Sequence, residues 1–531
     1  MSEGAADLVV HGGAIHSLDD ANPSPQAFAV TGDRFAYIGS ADAAMRLRGP
    51  NTKIIDIGGN TVIPGLIDAH LHLTNLGLRL EELDLAGVRE LDELVERTKQ
   101  YASVTSDEWV VGRGWDQNHW PRGAFPTHER LSSAIPDRPV ALTRVDGHAA
   151  LVNAYAMKLA GIDESTPEPQ GGRILRNARG KPTGVLIDAA QAIVEAQIPK
   201  PSHERLVRAT RAAIAECNRW GITAIAEPGC DDSILAAHRE LLERGAYSIR
   251  NHAMLYDDPL LIEAHARDGP IEAAFGGRLW VRAIKMYVDG ALGSRGAALL
   301  APYSDDAQNV GLILTAKERI RTAAERALRT GFQLCVHAIG DRANRIVLDA
   351  YASALQYPKR GAEPRFRIEH AQVLAPADIP RFAQLGVIAS IQASHAISDR
   401  AWARSRLGAD RMAGAYAWRS LLDCGTRIAN GSDAPVEPLG TPRTFHASIS
   451  YAPQRMTRHE ALASMTVWAA YANFQERVVG SIAAGKYADF VMMDSDWMSA
   501  ALGEIPQTKV LATYLGGRCV FAADGFNQSS F

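Results

Sequence analysis

The chain has 531 residues, 47% of them hydrophobic, and carries 56 Lys and Arg against 60 Asp and Glu, a net charge of -4. This supports a large core but offers no basic face for nucleic acid or an anionic membrane, so a neutral small-molecule substrate suits it better. Five cysteines with no C-x-x-C spacing argue against a disulfide framework and against a zinc ribbon, and fit a reducing cytoplasm.

The N-terminus, MSEGAADLVVHGGAI, lacks a basic segment followed by a long apolar stretch, and no apolar run is long enough to span a bilayer. A soluble protein that is not exported is the expectation. From residue 5 to about 62, the runs DLVVHGGAI, QAFAVTGDRFAYIG and TKIIDIGGNTVI read as short strands joined by Gly, Asp and Asn turns. VIPGLIDAHLHL follows as a buried strand. The stretch from roughly Leu80 to Pro201 is too long for a simple connection and reads as a subdomain beside the site, since long insertions often supply substrate contacts.

Beyond it a unit recurs: an amphipathic helix, a glycine, then a β-branched run ending in polar residues. The copies are CNRWGITAIAEP from Cys217, LRTGFQLCVHAIGD from Leu328, AQLGVIASIQASH from Ala383 and LLDCGTRIANGSD from Leu421. Glycine closes each helix and the run that follows reads as a buried parallel strand. Adding VIPGLIDAHLH, YSIRNHAMLYD, LWVRAIKMYVDG and FRIEHAQ gives eight strands and a (β/α)8 barrel over about residues 63–475, with the insertion at about 80–201. An open doubly wound sheet is the rival, but it would struggle to bring the first and eighth strands together. DFVMMDSD and VLATYLGGRCVFAADG then supply further strands, so that residues 1–62 and 476–531 are expected to pair into one small β-domain.

Six residues fall near the C-terminal ends of the barrel strands, where barrel enzymes place their chemistry: His70, His72, Lys285, His337, His370 and Asp433. Residues i and i+2 of a strand share a face, so His70 and His72 can grip one ion. A bare His-x-His is more often two ordinary histidines; the downstream partners make the set read as a two-metal site.

PGLIDAHLH, the strand-four lysine, HAIGDRA, RIEHAQ, GSDAPVEP and the closing GSIAAGKYADFVMMD together resemble the amidohydrolase superfamily, in the branch that contains N-substituted formamide deformylases. The resemblance covers nearly the whole chain. It implies a metal-bearing barrel, a β-sandwich made from both termini, and hydrolysis at an amide or related bond. His70, His72 and Asp433 would then hold one metal, and His337 and His370 the second. Such a set suits Zn²⁺, although manganese or iron would also fit. Burial and positive neighbours lower a lysine's pKa, and the resemblance implies that Lys285 takes up carbon dioxide as a bridging carbamate. Pairing of Lys285 with Asp289 or another carboxylate, around a single metal, stays open. A metal-activated hydroxide would attack the carbonyl, with Asp433 as general base and then acid; the plain alternative for Asp433 is a turn or cap residue.

Asp341 and Glu369 are candidates to orient ligand imidazoles. Asp341 can equally cap a helix or pair with Arg342, and strand alternation turns Glu369 away from His370, toward the outer helices. Trp115, Asp116, His148, Arg295 and His395 lie where a barrel mouth or its insertion should be and are candidate substrate contacts. Related sequences often have Gln-Pro-x-His before the last of these, whereas Ala393 stands here in place of the proline. Cys335 reads as packing below His337, the Gly-Gly and Gly-x-Gly patterns read as turns, and no G-x-S-x-G elbow occurs.

The expected function is a metal-dependent amidohydrolase acting on a non-peptide C-N bond of a small amide-type substrate. Two other readings stay open: a mononuclear amine deaminase, which would need no lysine ligand, and a non-catalytic regulatory protein on a hydrolase scaffold. A homodimer is common among relatives.

Overall fold

The computed structural model describes residues 5–121, 123–145, 147, 149–169, 172–356 and 363–526. They form two compact units, one built from the chain up to Gly77 and from Leu206 onward, the other from Leu78–Arg205.

The first unit holds eight parallel strands: β1 (Leu66–Asp68), β2 (Ile222–Cys230), β3 (Arg250–Tyr256), β4 (Leu279–Tyr287), β5 (Gln333–Ala338), β6 (Arg367–His370), β7 (Ile388–Ile391) and β8 (Ile428–Asn430). Each pairs with the next in chain order. The seam between β8 and β1 is bridged by a backbone bond from Ala69 N to Asn430 O at 3.2 Å. The (β/α)8 barrel expected from the sequence is therefore the fold. Helices Lys317–Thr330 and Ile379–Leu385, which precede β5 and β7, end on Gly331 and Gly386 at φ 83 and 64. Only glycine takes that left-handed turn cheaply, and each turn feeds the chain back into the barrel wall.

Alternate residues of these strands fill the barrel. Ala226, Met254, Ala283 and Cys335 form a buried apolar layer, and on β4 and β5 the next inward positions are Lys285 and His337. Small side chains below leave the barrel narrow enough for the layer above to converge.

A second, β-rich part of the same unit joins the two ends of the chain. One sheet runs in the order Arg34–Gly39, Ala27–Thr31, Ala6–His11, Arg48–Asp56; the other runs Ala14–Ile15, Thr61–Pro64, Phe490–Met493, Val510–Leu515, Arg518–Ala522. Leu8, Val10, Phe28 and Val30 of the first sheet share one apolar cluster with Val62, Phe490, Met492 and Tyr514 of the second, as in a sandwich. Arg250 at the start of β3 is locked to this part by a fully buried two-pronged bond to Asp489 at 2.6 and 2.9 Å.

The other unit is a six-stranded sheet in the order Gly172–Arg176, Pro182–Asp188, Ala149–Val152, Val140–Arg144, Val110–Trp115, Leu83–Asp84. Its core includes Leu85, Trp115, Trp120, Leu142 and Val185. Among the described residues no helix is long and apolar enough to cross a membrane, and all five cysteines are free.

Candidate metal centre

All six strand-end residues, together with His395, line one cavity of about 360 Å³ at the C-terminal mouth of the barrel. His70 and His72 follow β1, and the chain here is pinned from two sides. The Asp68 carboxylate accepts from His70 N at 3.1 Å and from Ser432 N at 3.0 Å, and Asp433 N donates to His70 O at 2.7 Å. A Cβ on the intervening Gly431 would stand 2.4 Å from His70 N, so this close approach of β1 and β8 requires glycine. Burial raises the Asp68 carboxyl to about 6.

His70 is fully buried and its Nδ1 lies 2.5 Å from Glu369 Oε2. Burial, with Lys285 beside it, lowers His70 to about 4. The ring is therefore a neutral donor that presents Nε2 to the cavity, the arrangement in which a carboxylate fixes the tautomer of a ligand histidine. Glu369 is in turn held by Arg367, also wholly buried, whose Nε lies 2.7 Å from Glu369 Oε1. Arg367 Nη2 donates to Ala69 O, Ser390 Oγ and Glu369 Oε2 at 2.6, 2.8 and 3.1 Å, and Nη1 donates to Asn473 Oδ1 at 3.1 Å. One guanidinium thus ties β1, β6 and β7 together beneath the metal layer. The expectation that Glu369 faces the outer helices is corrected here. The chain leaves strand geometry at His370, where φ is 74, so Arg367 and Glu369 point inward and the left-handed turn still brings His370 to the cavity.

Asp433 also sits in left-handed backbone, at φ 60. Its Oδ1 lies 3.3 Å from His72 Nε2 and 3.6 Å from His70 Nε2, and its Oδ2 lies 3.8 Å from His395 Nε2. Burial alone would raise this carboxyl, but contact with His72 and the neighbouring histidines outweighs it and holds the group well below the usual carboxylate range. With Ala371 at φ 44, three non-glycine residues lie in strained backbone here, each costing about 1–3 kcal/mol, and mark a site where geometry has been favoured over stability.

Lys285 is 1% exposed. Its Nζ lies 3.3 Å from His70 Nε2 and 4.6 Å from the centre of the Tyr287 ring. Among the described residues no carboxylate pairs with it, and burial lowers its pKa. Asp289, the alternative partner considered from sequence, instead accepts from Ala298 N, Ile339 N and Gly340 N at 2.8, 3.0 and 2.8 Å. Asp289 Oδ1 also stands 3.5 Å from His337 Nε2. His337 and His370 meet edge to face with ring centres 4.5 Å apart. Burial lowers both, His337 to about 3 and His370 well below its ordinary value.

Two sets of donor atoms converge within 4.8 Å: His70, His72 and Asp433, and His370, His395 and Asp433. Neutral imidazoles and an ionised carboxylate are what a divalent metal such as zinc takes as ligands. The residues present fit such an ion.

The other candidates fare differently. Asp341 accepts from Leu300 N at 2.8 Å and Arg342 N at 2.9 Å, so it ties a loop to the start of helix Asp341–Ala354 and, among the described residues, bonds to no ligand imidazole. Arg295 is paired with Asp305 at 3.0 Å. Trp115 is buried in the core of its own unit, donating to Leu142 O at 2.7 Å, and Asp116 pairs with Arg144 at 2.6 Å. His148 lies outside the described residues. At the end of β7, Ala393 N donates to Asn430 Oδ1 at 3.3 Å, a bond that proline could not make. Sequence reasoning passed over Tyr287, Gln392, Asp399, Trp402 and Glu437. Tyr287, two residues after Lys285, and Gln392, which holds His370 Nδ1 at 2.6 Å, could have been found from strand spacing; Asp399 opens a short 3-10 helix, and Trp402 and Glu437 lie outside regular elements, none of them in a motif.

Comparisons with known proteins follow the same line. Residues 53–521 match the family model described as Amidohydrolase family. Protein LONG AFTER FAR-RED 3 of Arabidopsis thaliana is 31% identical over 97% of this chain and 92% of its own length. N-substituted formamide deformylase of Arthrobacter pascens is 27% identical over 96% of this chain and 97% of its own. The crystal structure of an uncharacterized metal-dependent hydrolase from Pyrococcus furiosus superposes with a TM-score of 0.80 at 28% identity, covering 93% of this chain and 100% of that one.

Proposed function

The chain belongs to the amidohydrolase family, and from that premise we propose that it is a metal-dependent hydrolase of small non-peptide amides, cleaving a C-N bond of formamide or N-acyl amine type. The observation that carries this reading is Asp433: an ionised carboxylate at the mouth of the barrel, with one oxygen toward His70 and His72 and the other toward His395. We infer that two Zn²⁺ ions per chain would be held, one by His70, His72 and Asp433 and the other by His337 and His370, with Lys285 contributing as a carbamate. The lack of a carboxylate partner for Lys285 among the described residues and its lowered pKa support the free amine that this modification needs.

When bound, the metal supplies the two things an amide resists giving, an acidified water and a polarised carbonyl. The protein's own residues do the rest. Asp433 accepts the proton of the attacking water and delivers it to the departing nitrogen, which a carboxylate held ionised at rest can do in turn as base and acid. Glu369, through Arg367, keeps the His70 ring in one tautomer. Tyr287, Leu292, Ile339 and Trp402 give the cavity apolar and aromatic walls, which suit a hydrocarbon substituent on the amide. The similarity to a protein named N-substituted formamide deformylase supports this choice of bond.

The test is release of free amine from a panel of N-substituted formamides and N-acyl amines by zinc-loaded protein. Turnover that is lost in Asp433→Asn supports the proposal. Ammonia released from an amino-substituted ring, with no amide turned over, would instead indicate a deaminase.

A further inference from the structure

We propose that His395 is a further ligand of the second metal, joining His337 and His370, with Asp433 Oδ2 turned toward it. The proposal rests on the metal-dependent reading above and adds to it a residue outside the strand-end set. His395 opens the short helix His395–Ser398 just past β7, and three observations aim it at a metal. Its Nε2 is buried without a hydrogen-bond partner among the described residues. That nitrogen lies 3.8 Å from Asp433 Oδ2, the oxygen turned away from His72. Its ring lies parallel to that of His370, at 10° with centres 6.2 Å apart, and donor atoms of the three residues come within 4.8 Å of one another.

The surroundings hold this geometry in place. His370 Nδ1 is committed to Gln392 Oε1 at 2.6 Å, which leaves Nε2 as its free donor. The bond from Ala393 N to Asn430 Oδ1 ties the turn before His395 to β8, the strand that carries Asp433. Fixed outer partners of this kind are what orient ligand imidazoles. The two donor sets share Asp433, which presents Oδ1 to His70 and His72 and Oδ2 to His395. His395 Nε2 thus stands 3.8 Å from the same carboxylate that serves His70 and His72.

The experiment is a Co²⁺ titration of metal-free, full-length protein followed by visible absorption, with Zn²⁺ affinities from competition against a chromophoric chelator. Wild type, His395→Ala and His395→Gln are compared, with circular dichroism to show that the variants fold. Wild type should take up two equivalents, and both variants should bind the second at least 100-fold more weakly while keeping the first. Variants that bind both equivalents like wild type overturn the proposal and place His395 on the substrate. A wild type that takes a single equivalent also overturns it but leaves the metal-dependent reading standing, whereas a wild type that binds neither metal defeats that reading. Should both variants fail to fold, a crystal structure of the zinc-loaded wild type decides: a zinc about 2.1 Å from His395 Nε2 is the expected result, and an imidazole held away from either ion contradicts it.

Discussion

Replacing Glu369 by leucine separates two jobs that the structure assigns to one carboxylate. Both Glu369 and Arg367 are 0% exposed, so Glu369→Leu strands a guanidinium in the barrel. Losing one partner of a buried pair costs about 3–5 kcal/mol. The same change removes the acceptor 2.5 Å from His70 Nδ1, and outer partners of ligand histidines are worth about 10–100-fold in metal affinity. The double variant Arg367→Met, Glu369→Leu removes both charges in similar volumes. It should recover most of the stability, less what Ala69 O, Ser390 and Asn473 lose with their donor, but none of the affinity. Urea unfolding of the metal-free protein measures the first quantity and chelator competition with Zn²⁺ the second. A double variant that binds zinc as tightly as wild type would refute the reasoning, as would a Glu369→Leu protein of unchanged stability.

Asp433→Asn should lower kcat by about 10²–10⁴-fold, the usual range for a lost general acid-base, read as amine release at saturating substrate. Gly431→Ala forces a Cβ to within 2.4 Å of His70 N and 2.7 Å of Asp68 Oδ1; the overpacking should cost about 1–3 kcal/mol and weaken zinc binding, both visible in melts with and without metal. Burial lowers His252 to about 3, below the unfolded value near 6.5. The unfolded chain therefore binds the proton first. Stability from this group is complete above pH 6.5 and is lost as pH falls toward 3, by up to about 1.4 kcal/mol per unit. His252→Gln should flatten the acid limb of stability against pH by that slope, and an unchanged slope would mean that His252 is protonated in the folded protein. Adding a chelator should lower the melting temperature of the zinc-loaded protein back to that of the metal-free form.

Much of the fold was legible because helix, glycine and buried run repeat, and a parallel strand can only be followed by a crossover. The six strand-end residues were legible for the same reason, since a strand's last inward positions fix where its side chains meet. What failed was reasoning by strand alternation at a strand's end. Glu369 was turned outward by counting from His370, but His370 has left strand geometry, and counting from Arg367 gives the right face. Trp115 and Asp116 were read as substrate contacts from residue type alone; Trp115 donates to Leu142 O, and Asp116 pairs with Arg144 and lines a cavity of about 520 Å³ in the inserted unit, relations set by pairing within that sheet that motif spacing does not reveal. Asp68 carried no motif of its own, yet it fastens the β1 and β8 ends that present His70 and Asp433.

The most direct test of the central claim is elemental analysis of protein purified without added metal or chelator, wild type beside His70→Ala, His72→Ala. About two divalent metal ions per wild-type chain are expected, with a clear loss in the double variant. A folded wild type that is metal-free and refuses zinc, or a double variant that keeps its full complement, would contradict it.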